Sequence, residues 1–178
     1  MKKILLASFI LMAGFYLSAQ PAIAQTATNT AVSSGVLKSS CLISDRPDYR
    51  VEKLSLFLEQ QNSPLVDYAD EMIETADKYR LDWRLVPAIT GVESSFGKRI
   101  PYHSYNAYGW NNGNFRFGSW EESIEHVSKT LRERYLDRGA TSVGAIGRIY
   151  APPSTTWAGK VNHLMAKIEA TPNFTLDL

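Results

Sequence analysis

One acidic residue sits where an apolar one is expected. On a helical wheel at about 100° per residue with Leu85 at zero, Ile89 falls near 40°, Val86 near 100°, Val92 near 340° and Phe96 near 20°. Glu93 falls near 80° on the same wheel, inside the apolar arc, whereas Ser94 and Gly91 fall on the far side. Desolvating a carboxylate is costly unless it is paired or neutral. Unpaired, it would hold its proton towards neutral pH, the state a general acid needs to protonate a leaving oxygen. The competing reading is structural: Glu93 pairs with Arg84, Arg99 or a helix N-terminus and organises the core.

The stretch that follows is chemically distinctive. Tyr102, Tyr105, Tyr108, Trp110, Phe115, Phe117 and Trp120 crowd into 19 residues, against an overall aromatic share of 11%. Asn106, Asn111, Asn112 and Asn114 are interleaved with them. Flat rings flanked by amides suit a pyranose, which has apolar faces and a rim of hydroxyls. The same rings could instead form a second layer of the core. His103, His126 and His163 are scattered, and no His-Glu-x-x-His or Cys/His pair occurs, so neither a metal nor a cofactor is expected.

These residues need elements to position them, and the pattern predicts an almost wholly helical domain. Leu54, Phe57 and Leu58 mark a first helix. Ser63-Pro64 opens a second, in which Leu65, Ala69, Met72, Ala76 and Tyr79 recur at three- and four-residue steps. Asp82 caps a third, leading to Glu93. Ser119-Trp120-Glu121-Glu122 is a capping box ahead of Ile124, Val127, Leu131 and Tyr135. Val143, Ile146 and Tyr150 form a short helix that Pro152-Pro153 must stop. Trp157, Val161, Leu164 and Ile168 form the last. The only strand signal is a possible hairpin around Asn112-Gly113. The fold class is therefore all-α, with at most a small β-hairpin, in one domain over residues 51–172.

The N-terminal region sets the compartment. Lys2 and Lys3 precede an apolar run from Ile4 to about Leu17, and Ala22-Ile23-Ala24 supplies a cleavage site before Gln25. Residues 1–24 read as an export signal. As a retained membrane anchor the run is short of the roughly 20 residues a span needs. Residues 25–50, rich in Thr, Ser, Ala and Asn, read as a disordered tether. Loss of the two leader lysines turns the formal charge of +1 into 17 basic against 18 acidic residues, or −1. That balance gives no footprint for nucleic acid. Cys41 is the only cysteine, so no internal disulfide can form. It is either a small, partly buried side chain or a site for an intermolecular bridge. No pattern speaks to oligomeric state.

Four segments in order resemble known families. Ala76-Asp77-Lys78-Tyr79, Leu81-Asp82-Trp83 and the run to Glu93-Ser94-Ser95-Phe96-Gly97 resemble the helix leading to the catalytic glutamate of soluble lytic transglycosylases. Asn106-Ala107-Tyr108-Gly109-Trp110 is similar to the Asn-x-Phe/Tyr-Gly turn of bacterial glucosaminidases. Phe117 to Ile124 resembles the opening of that family's next helix, and Tyr150-Ala151-Pro152 with Trp157-Ala158-Gly159-Lys160-Val161 resembles its ending. The resemblance covers about Leu65 to Glu169. It implies a lysozyme-like α domain, an exported protein of the periplasm or cell wall, and peptidoglycan glycan strands as substrate. It also implies Glu93 as catalytic acid, with Asn106, Tyr108, Trp110 and Tyr150 at the sugar site and Tyr150 facing Glu93. One departure matters. No Asp or Glu lies between Ser94 and Ser119, so a second carboxylate opposite the first is not evident. Glu121 and Glu122 follow, but the first turn of a helix explains both. Hydrolysis and transglycosylation therefore both stay open. So does a non-catalytic peptidoglycan-binding or cell-wall accessory role on the same fold.

Overall fold

The computed structural model describes residues 48–172; the segment read as an export signal, most of the expected tether and Cys41 lie outside the described residues. The described chain forms six α-helices. They are α1 (Tyr49–Gln60), α2 (Ala69–Lys78), α3 (Leu85–Ser94), α4 (Trp120–Thr130), α5 (Val143–Tyr150) and α6 (Trp157–Glu169). A 3-10 turn at Val66–Tyr68 precedes α2, and α4 runs on through a π-helical stretch, Leu131–Tyr135, and a 3-10 turn, Leu136–Arg138.

Local chemistry sets the boundaries. Asp48 caps α1 by accepting from the Arg50 amide at 2.8 Å, so the folded part starts just before Val51, and residues 49 and 50 belong to the helix rather than the tether. Ser63 does not open an α-helix. Its Oγ accepts from the Leu65 amide (3.0 Å) and donates to the Phe96 carbonyl (2.8 Å), which makes a cross-tied turn. Asp82 caps the turn into α3 by accepting from the Arg84 amide at 3.0 Å. Ser119 accepts from the Glu122 amide (3.2 Å), while Glu122 reaches back to the Gly118 amide (2.6 Å), a capping box displaced by one residue.

The helix α3 is the centre of the fold, packed against α2, α4 and, most extensively, α6. Leu85, Val86, Ala88, Ile89, Thr90 and Ser94 are all buried. The two-sided wheel is therefore corrected: the supposed far side is covered as well. Gly91 makes this possible, because α6 approaches so closely that a β-carbon there would meet Leu164 Cδ1 at 2.6 Å. Lys53 of α1 ties the bundle end by donating to the Glu169 carbonyl at 2.9 Å, a favourable place for a cation at a helix C-terminus.

No strand forms among the described residues. Where a hairpin was possible, Asn111 and Asn112 both take left-handed conformations (φ 51° and 52°). Tight turns follow, closed by Gly113 N–H to Trp110 O (3.1 Å) and Asn114 N–H to Asn111 O (3.0 Å).

Candidate functional site

Glu93 occupies the last turn of α3, half-buried. Among the described residues no cation lies within 4.0 Å of its carboxylate. Arg84, one anticipated partner, bonds instead to Asp82 (2.6 Å) and Glu169 (3.0 Å), and Arg99 is exposed and makes no ion pair among the described residues. The bond Glu93 does make is to α6: Trp157 Nε1–H donates to Oε1 at 2.7 Å. Burial pushes the Glu93 carboxyl above its ordinary range, and the indole bond pulls the other way.

The tryptophan is itself tightly held. It is 4% exposed, and a β-carbon on Gly147 of α5 would meet its ring at 2.9 Å. The Tyr150 ring stacks on it, centroids 5.1 Å apart and planes 26° apart. Trp110 approaches Tyr150 edge-on at 6.4 Å. A row of rings thus leads from the loop, through α5, to the indole that holds Glu93. The Tyr150 hydroxyl donates to the Tyr108 carbonyl at 2.7 Å. Burial, and then the charge of Glu93, raise its pKa well above the ordinary phenol, so it stays a neutral donor.

The five anticipated site residues fall into two groups. Glu93, Trp110 and Tyr150 are each half-buried and contiguous with Trp157. Asn106 and Tyr108 face inward, at 2% and 1% exposure. Asn106 spends its amide on the loop, donating to the Trp110 and Phe115 carbonyls (2.9 and 3.1 Å) and accepting from the Trp110 amide (2.9 Å). Its side chain shapes the turn and offers no free atom to a sugar. Tyr108 supplies its carbonyl to Tyr150, while its own hydroxyl lies near Ser123 without an aligned partner. The exposed amides of the loop are Asn111, Asn112 and Asn114.

Two site residues escaped the sequence reading. Trp157 counted there as the first apolar residue of its helix and as part of the segment that resembles the family's ending, with no role at the acid. Gly109, at φ +67°, lies against the acid: a β-carbon would stand 3.1 Å from Glu93 Oε2. Its place in the Asn-x-Tyr-Gly turn was the available signal.

Two surface cavities open elsewhere. One, about 380 Å³, is lined by Lys78, Tyr79, Arg80, Arg132 and Asp137. The other, about 290 Å³, lies beside Leu85, Leu136, Val143 and Met165. Glu93 lines neither. The described residues hold no cluster of three or more His, Cys, Asp or Glu able to ligate a metal. None of their helices is long and apolar enough to cross a membrane. No family model matches the chain, and no curated protein matches it significantly.

Proposed function

We propose that this protein cleaves the glycan strands of peptidoglycan on a lysozyme-like α domain, after export to the periplasm or cell wall, with Glu93 as general acid and then base. One observation carries the reading. Glu93 is a desolvated carboxylate with no cationic partner, beside a row of aromatic rings, and its pKa is raised by burial. A purely structural acid has little reason to bear that desolvation with one neutral indole donor and no cation beside it.

In the proposed reaction Glu93 gives its proton to the glycosidic oxygen as the C1–O bond breaks, and the bonding pair leaves with that oxygen. The oxocarbenium-like centre is met by an oxygen of the substrate itself, an N-acetyl carbonyl or a muramyl 6-hydroxyl. Glu93, now ionised, takes a proton from the incoming water or from that hydroxyl. This course asks for one carboxylate. It suits a site in which Glu122 is engaged at 2.6 Å by the Gly118 amide and Glu121 is exposed in the first turn of α4.

A second reading, a non-catalytic peptidoglycan-binding or cell-wall accessory protein, is favoured by the lack of any Asp or Glu from Ser94 to Ser119 that could stand opposite Glu93. The purified protein and its Glu93→Gln variant, incubated with peptidoglycan, separate the two. Soluble fragments from the wild type alone, read by mass spectrometry, support catalysis, and the sugar ends distinguish hydrolysis from anhydro formation. Fragments from neither, with both retained on the wall, establish the binding reading; equal release by both removes Glu93 from the chemistry.

A further inference from the structure

The bond between α6 and Glu93 decides which carboxyl oxygen carries the acid proton. An indole N–H donates and cannot accept. Trp157 Nε1 lies 2.7 Å from Oε1, so a hydrogen on Oε1 would put a hydroxyl, the poorer acceptor of a carboxylic acid, against a committed donor. The favoured arrangement keeps Oε1 as the carbonyl-like acceptor and places the hydrogen on Oε2. That second oxygen lies beside Gly109, where even one β-carbon would approach to 3.1 Å. Gly109 is exposed and carries no side chain over Oε2.

We propose that Trp157 is a positioning residue that fixes the proton of Glu93 on Oε2, and that Gly109 keeps open the path by which a ligand oxygen reaches it. The surrounding elements offer no competitor. On α5, Tyr150 feels the charge of Glu93, but its hydroxyl is committed to the Tyr108 carbonyl at 2.7 Å. Arg148 on α5, Lys160 on α6 and Arg99 beyond α3 are exposed and make no ion pair with Glu93. The second clause of the proposal rests on the glycan-cleaving reading; the proton placement does not.

The first test therefore needs no turnover. In the ¹⁵N-labelled full chain, the Trp157 indole resonance is assigned through its contacts to the Tyr150 ring and followed against pH. The expected result is a single titration that tracks Glu93, with the N–H more deshielded when the carboxylate is charged. In Glu93→Gln the same resonance should stay flat. A flat wild-type curve, or an unchanged titration in Glu93→Gln, overturns the proton placement, whatever the protein does to glycan.

The second test is kinetic. Trp157→Phe removes a bond that favours the charged form, so the basic limb of kcat/KM should move to higher pH. A purely structural role would lower activity without moving that limb. Gly109→Ala should lower kcat/KM at least tenfold while the indole titration survives; unchanged kcat/KM refutes the approach over Gly109. Should Trp157→Phe not fold, the wild-type and Glu93→Gln resonances decide the proton placement alone.

Discussion

Replacing Gly91 with alanine sets two effects of similar size against each other. Inside a helix alanine is favoured over glycine by about 1 kcal/mol. Against that, the new β-carbon would stand 2.6 Å from Leu164 Cδ1 and from Phe96 Cε1, and 2.7 Å from Phe96 Cζ. The leucine methyl can swing aside. The phenylalanine cannot do so easily: it is 6% exposed, wedged edge-on against Phe57 at 5.4 Å, and its backbone is left-handed at φ 61°. Overpacking of this kind costs about 1–3 kcal/mol, so the clash outweighs the propensity gain by about 1 kcal/mol. In a domain of this size that lowers the melting temperature by about 3–5 °C. Thermal unfolding followed by circular dichroism reads the shift, with Gly159→Ala in α6 as the control. Nothing lies within 4 Å of a β-carbon at 159, so that variant should gain about 0.5–1 kcal/mol. The two substitutions must then move in opposite directions. If Gly91→Ala melts above the wild type, α3 and α6 are not in the close contact described, and the seating of Trp157 on Glu93 falls with it.

Three further outcomes follow from bonds around the site. Burial holds the Glu93 carboxyl above its ordinary range. Its stabilising contribution is therefore complete below the unfolded pKa of about 4.3 and is lost as pH rises through the folded value. Glu93→Gln, neutral throughout, should match the wild type at about pH 3 and exceed its urea midpoint at about pH 8; an equal or lower midpoint at the higher pH would show that the carboxylate bears no desolvation penalty. Ser94 Oγ lies 3.0 Å from the Thr90 carbonyl and 2.8 Å from the Ala107 carbonyl, and accepts from the Gly97 amide at 2.9 Å. Ser94→Ala should cost about 1–3 kcal/mol by leaving buried groups unpaired, and an unchanged urea midpoint would contradict those bonds. Asn106→Ala removes three loop hydrogen bonds, worth about 1 kcal/mol each. It should lower the midpoint accordingly, where a surface sugar ligand would leave stability untouched.

The helices were legible because their signals are local. Leu65, Ala69, Met72 and Ala76 recur at helical steps and are all buried, and Asp82 and Ser119 cap where their side chains reach the next amides. What escaped depended on partners far along the chain. Nothing around Ser63-Pro64 announces that the Ser63 hydroxyl is engaged by the Phe96 carbonyl at 2.8 Å, which holds the segment as a turn. The wheel placed Glu93 on a buried stripe, yet α3 is buried on almost every side, and Glu93 marks the end that opens. Composition counted Asn106 and Tyr108 among groups offered to a sugar, because composition carries no direction. An asparagine four residues before the tryptophan whose amide it binds at 2.9 Å is a turn device. Trp157 was hidden for a plainer reason: its indole ring suffices to explain an apolar position, and its one polar hydrogen shows only once Glu93 lies beside it.

The way α3 ends accounts for an acid being kept there. Immediately after Glu93 and Ser94, the chain places two successive non-glycine residues, Ser95 and Phe96, in the left-handed region at φ 54° and 61°. Such conformations cost about 1–2 kcal/mol per residue, and they hold only where the surroundings over-determine them. Here the Phe96 amide closes back on the Thr90 carbonyl at 3.0 Å, Ser63 grips the Phe96 carbonyl, and the Ser94 hydroxyl takes the Gly97 amide. The helix is thereby stopped one residue past Glu93, and the loop of residues 102–118 returns to set Gly109 against the carboxyl. A carboxylate at this terminus also faces the negative end of the helix dipole. Dipole and burial thus both favour the protonated acid, and the bond from Trp157 opposes them. The balance among the three is set by packing rather than by any neighbouring charge, so it should respond to Gly91, Gly109 and Trp157 more than to salt.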